Sequence, residues 1–180
     1  MRKLVAVITL VLVLGVVNWS IYKKEQLLEN GQIVYLQLAP VDPRSLMQGD
    51  YMALRFAIAS EIEKGLSHYR HSELKSNVEE NVFDGFAQLT LDENRVGSFI
   101  KVTKTAYDKS NILDNENAEL IPAKFRERSG RIKIATNAYF FEEGKGLELE
   151  AAKYGLFRVD PSGELLLVSL VDDAFNVLGK

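Results

Sequence analysis

The chain has 180 residues, 47% of them apolar and 26% charged, with a formal net charge of −3, a length that allows one domain with a real core but not two large ones. The absence of cysteine excludes disulfide staples, thiolate metal sites and thiol nucleophiles. Charge is unevenly placed: residues 1–24 hold Arg2, Lys3, Lys23 and Lys24 and no acid, so the remainder carries 18 basic against 25 acidic side chains, a net −7 that sets nucleic acid aside as a partner.

Residues 4–22, LVAVITLVLVLGVVNWSIY, form an uncharged run interrupted only by Thr9, Gly15, Asn18 and Ser20. At about 1.5 Å per residue it covers roughly 28 Å, near the thickness of a bilayer's hydrocarbon core. A secretory signal peptide shares the basic start and apolar stretch, but its exit wants small residues in an A-x-A-like arrangement. Here the exit is Asn18-Trp19-Ser20-Ile21-Tyr22-Lys23-Lys24, which reads instead as interfacial aromatics followed by headgroup lysines. An uncleaved anchor in contact with lipid over residues 4–22 is therefore expected. The balance of flanking basic charge places the N-terminus in the cytoplasm and the acidic domain outside it. The division is residues 1–24 as tail and anchor and residues 25–180 as domain.

Beyond the anchor, residues 25–31 continue the helix to a stop at Asn30-Gly31, a pair suited to left-handed backbone. Residues 33–38 read as a strand ending at Pro40, and residues 42–50 are turn chemistry. Strand composition resumes over 51–58, with Met52, Leu54, Phe56 and Ile58 on the buried face. An amphipathic helix is predicted over 60–78, with Ile62, Leu66, Tyr69 and Leu74 on its apolar side and Ser60 and Glu63 as a capping box. Alternating runs follow at 82–91, 98–107, 119–128 and 131–141, the last two joined by the hairpin step Ser129-Gly130. A short helix is expected over 147–154, closed by Gly155, and a last hairpin turns at Pro161-Ser162-Gly163. The fold class is mainly β, an antiparallel sandwich or partly closed barrel with one or two short helices behind a transmembrane helix, with α+β as the alternative.

Gly49-Asp50-Tyr51-Met52-Ala53-Leu54-Arg55-Phe56 resembles the signature of the GDYXXLXY family of bacterial membrane-anchored proteins, with Phe56 in place of the final tyrosine. The resemblance extends to Pro40-Val41-Asp42-Pro43-Arg44-Ser45 upstream, and downstream to Tyr139-Phe140-Phe141-Glu142-Glu143-Gly144, Glu150-Ala151, Arg158-Val159-Asp160 and Gly163. It implies a bacterial envelope protein of the inner membrane with a periplasmic domain, and brings no established activity. Asp42, Arg44, Ser45, Gly49, Asp50, Tyr51, Leu54, Tyr139, Glu143, Gly144, Arg158 and Asp160 become the candidate residues. Two readings stand: a polar pocket assembled from both blocks, or a fold signature in which Asp42-Pro43 and Gly49 make the turn and Tyr51 with Leu54 pins the strand.

Catalytic alternatives are thinner. Ser45 followed by Gly49-Asp50 is similar in part to membrane-anchored signal peptidases, but Leu46 stands where they carry methionine, the spacing is shorter, and Lys101 or Lys104 supplies the required base only by conjecture. His68 and His71, the two histidines, have helical i, i+3 spacing but no further ligand motif, and solvated surface explains them. Glu142-Glu143 are neighbours on a strand-like run and point apart. Phosphate-binding glycine loops are missing, so no cofactor is expected. Binding or assembly with a polytopic membrane partner is the leading expectation, and a serine- or carboxylate-dependent hydrolase using Asp42, Ser45 and Asp50 the alternative.

Overall fold

A computed structural model of the protein describes residues 2–39, 47–48, 51–72, 82–106 and 120–179. Helix α1 (Arg2–Asn30) is continuous. It meets the length and composition of a membrane-crossing helix, its most apolar window having a mean hydropathy of 2.5 and being wholly unburied by the rest of the chain. Asn18 Nδ2 and Thr9 Oγ1 each donate back to the carbonyl four residues earlier, which satisfies two polar groups of the apolar run within the helix itself. The rings of Trp19 and Tyr22 lie 6.3 Å apart, with Lys23 Nζ 5.9 Å from the Trp19 ring centre.

The rest is mainly β, in three antiparallel sheets. Strands β1 (Gln32–Gln37), β9 (Tyr154–Val159) and β10 (Leu165–Val171) form one sheet in the order β1-β9-β10. Strands β2 (Met47–Gln48), β3 (Tyr51–Ala53) and β8 (Ala138–Phe140) form a second. The third is four-stranded in the order β5-β4-β6-β7, from β4 (Val82–Leu91), β5 (Gly97–Thr103), β6 (Leu120–Arg128) and β7 (Arg131–Ile134). Helix α2 (Ile58–Ser72) buries Ile62 and Leu66 against the four-stranded sheet, where Gly65 lets it approach the Phe99 ring closely. A one-turn helix α3 (Gly146–Leu149) buries Leu149. Single bridges join the sheets: Tyr35 with Val96, and Leu38 with Phe56. One core therefore gathers Val34, Leu36, Met52, Leu89, Phe125 and Phe157 from all three sheets, with Ile62 from α2.

Local chemistry explains the strand ends. Ser129 and Gly130 both have positive φ, 52° and 72°, the backbone of a two-residue turn matched to strand twist. At the β9–β10 hairpin Gly163 has φ 82°, and Asp160 Oδ1 accepts from Glu164 N at 3.0 Å and Ser162 Oγ at 2.6 Å.

Four local expectations are corrected. The helix begins at Ile58, two residues before the anticipated cap, so Ser60 lies in its first turn and donates to Ala57 O; the Ser60/Glu63 box does not form. Met52, Leu54, Phe56 and Ile58 are all buried as expected, but only the first lies in a strand. The run 131–141 breaks at Ala135, whose φ is 51°, and divides between two sheets. The helix foreseen over 147–154 is a single turn, because Tyr154 and Gly155 belong to β9. The helix stop at Asn30-Gly31 holds, although Gly31 is not left-handed: a Cβ there would collide with Leu27 O and lie 3.0 Å from Arg158 Cβ, so close approach is what requires glycine.

Candidate functional site

The two signature blocks meet in one sheet. Tyr51 pairs with Phe140, Met52 with Tyr139 and Ala53 with Ala138, while Gln48 pairs with Tyr51 on the other side. The Tyr51 and Phe140 rings are 6.0 Å apart. Leu54 continues the contact, its amide donating to Asn137 O at 2.7 Å and its side chain buried. What turns the chain from β7 into β8 is the left-handed Ala135 followed by Thr136, whose hydroxyl donates to Ala138 O and accepts from Ala138 N. A stretch of ten residues, 131–140, thereby carries the second block onto the first.

The remaining candidates lie elsewhere. Glu143 and Gly144 are exposed in a turn closed by Lys145 N donating to Glu142 O, with Gly144 at φ 88°. Arg158 is on β9 at the end of α1, where Nη1 donates to Gly31 O at 2.7 Å, a cation placed on the helix's carbonyl end. Asp160 closes the β9–β10 hairpin. Asp42, Arg44, Ser45, Gly49 and Asp50 lie outside the described residues, as do Pro40 and Leu74. Thus Tyr51, Leu54 and Tyr139 come together, Arg158 and Asp160 join the anchor side of the molecule, and Glu143 stands on the surface.

Among the described residues no group of three His, Asp or Glu side chains is placed to hold a metal ion. Lys104 Nζ donates to Asp84 O and sits 4.4 Å from the Phe83 ring centre, an arrangement for packing rather than for activating a hydroxyl. Two carboxylates are held below their ordinary range. Asp84 receives two 3.0 Å hydrogen bonds from Arg128 and the fields of Arg126 and Lys104. Asp172 accepts from the Asn176 side chain and from the backbone N–H groups of Asn176 and Ala174. Both are anions stabilised as anions, the opposite of a general acid.

One surface was not anticipated. A groove of about 820 Å³ runs between β6–β7–β8 and the start of β10, lined by Lys24, Lys124, Arg126, Arg128 and Lys133 with Glu164 as its one carboxylate, and by Tyr139 and Phe140 of the signature sheet. A second groove of about 880 Å³ shares Lys133, Thr136 and Asn137 with it and is walled by Leu54, Phe56 and Glu63. The signal for the first was present in the sequence. Lys124, Arg126 and Arg128, then Arg131 and Lys133, recur at every second position around the Ser129-Gly130 turn. Period two puts each set on one strand face.

An apolar helix long enough to cross a bilayer, followed by a mainly antiparallel β domain whose signature blocks pair in one small sheet, defines the class. The family model described as GDYXXLXY protein matches residues 13–170, and the chain belongs to that family. No curated protein and no solved structure matches it.

Proposed function

We propose that the chain is a single-pass protein of the bacterial inner membrane, anchored through residues 1–24, whose domain of residues 25–180 lies in the periplasm and works by binding and assembly beside a polytopic membrane protein. The observation that supports this reading is the joint between α1 and the first sheet. Leu27 is buried, Lys24 Nζ reaches Glu164 Oε1 at 3.0 Å, and Arg158 holds Gly31 O, so the domain is attached at a fixed attitude to the helix. A tether that served only to retain an enzyme needs no such joint. Phe140, 76% exposed on the signature sheet, offers an apolar contact of the kind that partner surfaces use.

Pull-down of the full chain from gently solubilised membranes should recover a membrane protein at stoichiometric yield, and recovery of the chain alone would count against assembly. A phosphatase fused after Lys180 should be active, since it folds only when exported; an inactive fusion at normal expression would reverse the orientation.

A further inference from the structure

The register of β6 and β7 sets Arg126 directly opposite Lys133 and Arg128 opposite Arg131. Like charges in directly opposed positions repel, and two such pairs side by side are an arrangement that a sheet does not adopt for its own stability. Some of this charge is answered within the fold. Asp84 holds Arg128 through two hydrogen bonds, and Glu164 faces Lys24 at 3.0 Å and Lys124 at 4.0 Å. Arg131 and Lys133 have no carboxylate partner among the described residues, and Arg126 has only the field of an Asp84 already engaged by Arg128. In a domain of net −7 the local sign is reversed, and two of these cations, Arg126 and Lys133, line one concavity.

Position identifies the anion. Lys24, which forms one wall, is two residues beyond Tyr22, about 3 Å along the helix. The headgroup layer extends roughly 5–7 Å beyond the hydrocarbon, so this wall stands within it. The joint described above holds the other walls against the same helix end. The groove also has an apolar side, from Phe140 and Leu167, which a free inorganic ion would leave uncovered and a lipid would not.

We propose that this groove takes the phosphate-bearing headgroup of an anionic phospholipid from the membrane that α1 crosses, with Arg126 and Lys133 as its main cations. The inference rests on the membrane anchoring proposed above and is independent of any protein partner. Its result would be a fixed rotation of the domain about the helix, set by lipid on one side and by the Arg158 joint on the other.

The test is native mass spectrometry of the full chain in neutral detergent, with phosphatidylglycerol and phosphatidylcholine of identical acyl chains added in equal amounts. Contacts along α1 are common to both lipids, so the ratio of adducts reports the headgroup. A cation near an anionic lipid surface contributes about fivefold in affinity, so R126Q/K133Q should reduce the preference for phosphatidylglycerol by about twenty-five-fold, while R126K/K133R retains it. Neither pair of substitutions should lower the thermal midpoint, since glutamine relieves repulsion. Equal binding of the two lipids by the wild type, or an undiminished preference in R126Q/K133Q, would overturn the proposal. So would displacement of the lipid by millimolar inorganic phosphate, which would make the groove a site for free anions. A chain that fails to sediment with membranes would overturn the anchoring as well, whereas a retained chain without headgroup preference removes this inference alone.

Discussion

At the level of single residues, two glycines in the same helix-to-strand run have opposite roles. Gly15 lies within the apolar span and has nothing within 4 Å of an added Cβ, so Gly15→Ala should be tolerated and should favour the helix by up to about 1 kcal/mol. Gly31 is enclosed by Leu27 O, Leu27 Cδ1 and the Arg158 side chain, two of them from the backbone and from a residue tied to it. Gly31→Ala must push β9 from the helix end and should cost about 1–3 kcal/mol, read as a lowered denaturation midpoint of the full chain in detergent; an unchanged midpoint would refute the close approach. Asp84 provides a pH dependence whose sign follows from its depressed pKa. Its unfolded value is near 3.8 and its folded value lower, because Arg128 hydrogen-bonds the anion. The stabilisation is complete above the unfolded value and is lost as pH falls through the folded one. Asp84→Asn should therefore be less stable than wild type at pH 7, with the gap closing below pH 4, and parallel denaturation curves at pH 7 and pH 3 would argue against the pair.

Among the elements, the contact that orients α2 is the ion pair of Arg70 with Glu127 of β6, set beside the Phe83 ring. Glu127 is 7% exposed, and a carboxylate so placed depends on its partner. Arg70→Met should cost about 3 kcal/mol by leaving that charge uncompensated, and Arg70→Met with Glu127→Leu should recover most of it. Urea denaturation of the two variants decides this, and equal losses would mean that packing, not charge, matters. The same elements show what was legible in the chain. Strand β4 was readable to the residue, because Val82 to Leu91 alternates and is bounded by turns, and so was the hairpin at Ser129-Gly130. The break at Ala135 was not, since alanine carries no turn signal and its positive φ is imposed by β8 pairing with β3, far away in sequence. The short α3 was overextended for a related reason: Tyr154 and Gly155 have a helix-stop composition, but their backbone is claimed by β1 and β10. For the site, the meeting of the signature blocks could not be read from one sequence, because register between distant segments leaves no local trace. The cationic alternation at 124–133 is legible in the sequence, although it runs against the net charge of the domain around it.

For the molecule as a whole, the question is whether the domain and the apolar helix α1 move as one body. If α1 crosses a bilayer as proposed, an anionic surface would repel the acidic domain as a whole and attract the basic groove beside Lys24, so charge alone would favour one attitude. The joint between α1 and the domain consists of three contacts of different kinds: Leu27 by burial, Lys24 with Glu164 by charge, and Arg158 by a hydrogen bond to Gly31 O. They are unequal. The lysine pair is half-exposed and worth little by itself, whereas the Arg158 bond is partly buried and made by a charged donor to a helix-end carbonyl. Arg158→Ala should therefore loosen the joint while removing only about 1–2 kcal/mol from the fold. Spin labels on the exposed Leu28 of α1 and the exposed Val168 of β10 should give a narrow distance distribution in the wild type and a broad one in Arg158→Ala, with Lys24→Gln close to wild type. A broad distribution in the wild type would mean that α1 is a loose tether, and equal broadening in both variants would assign the joint to charge instead.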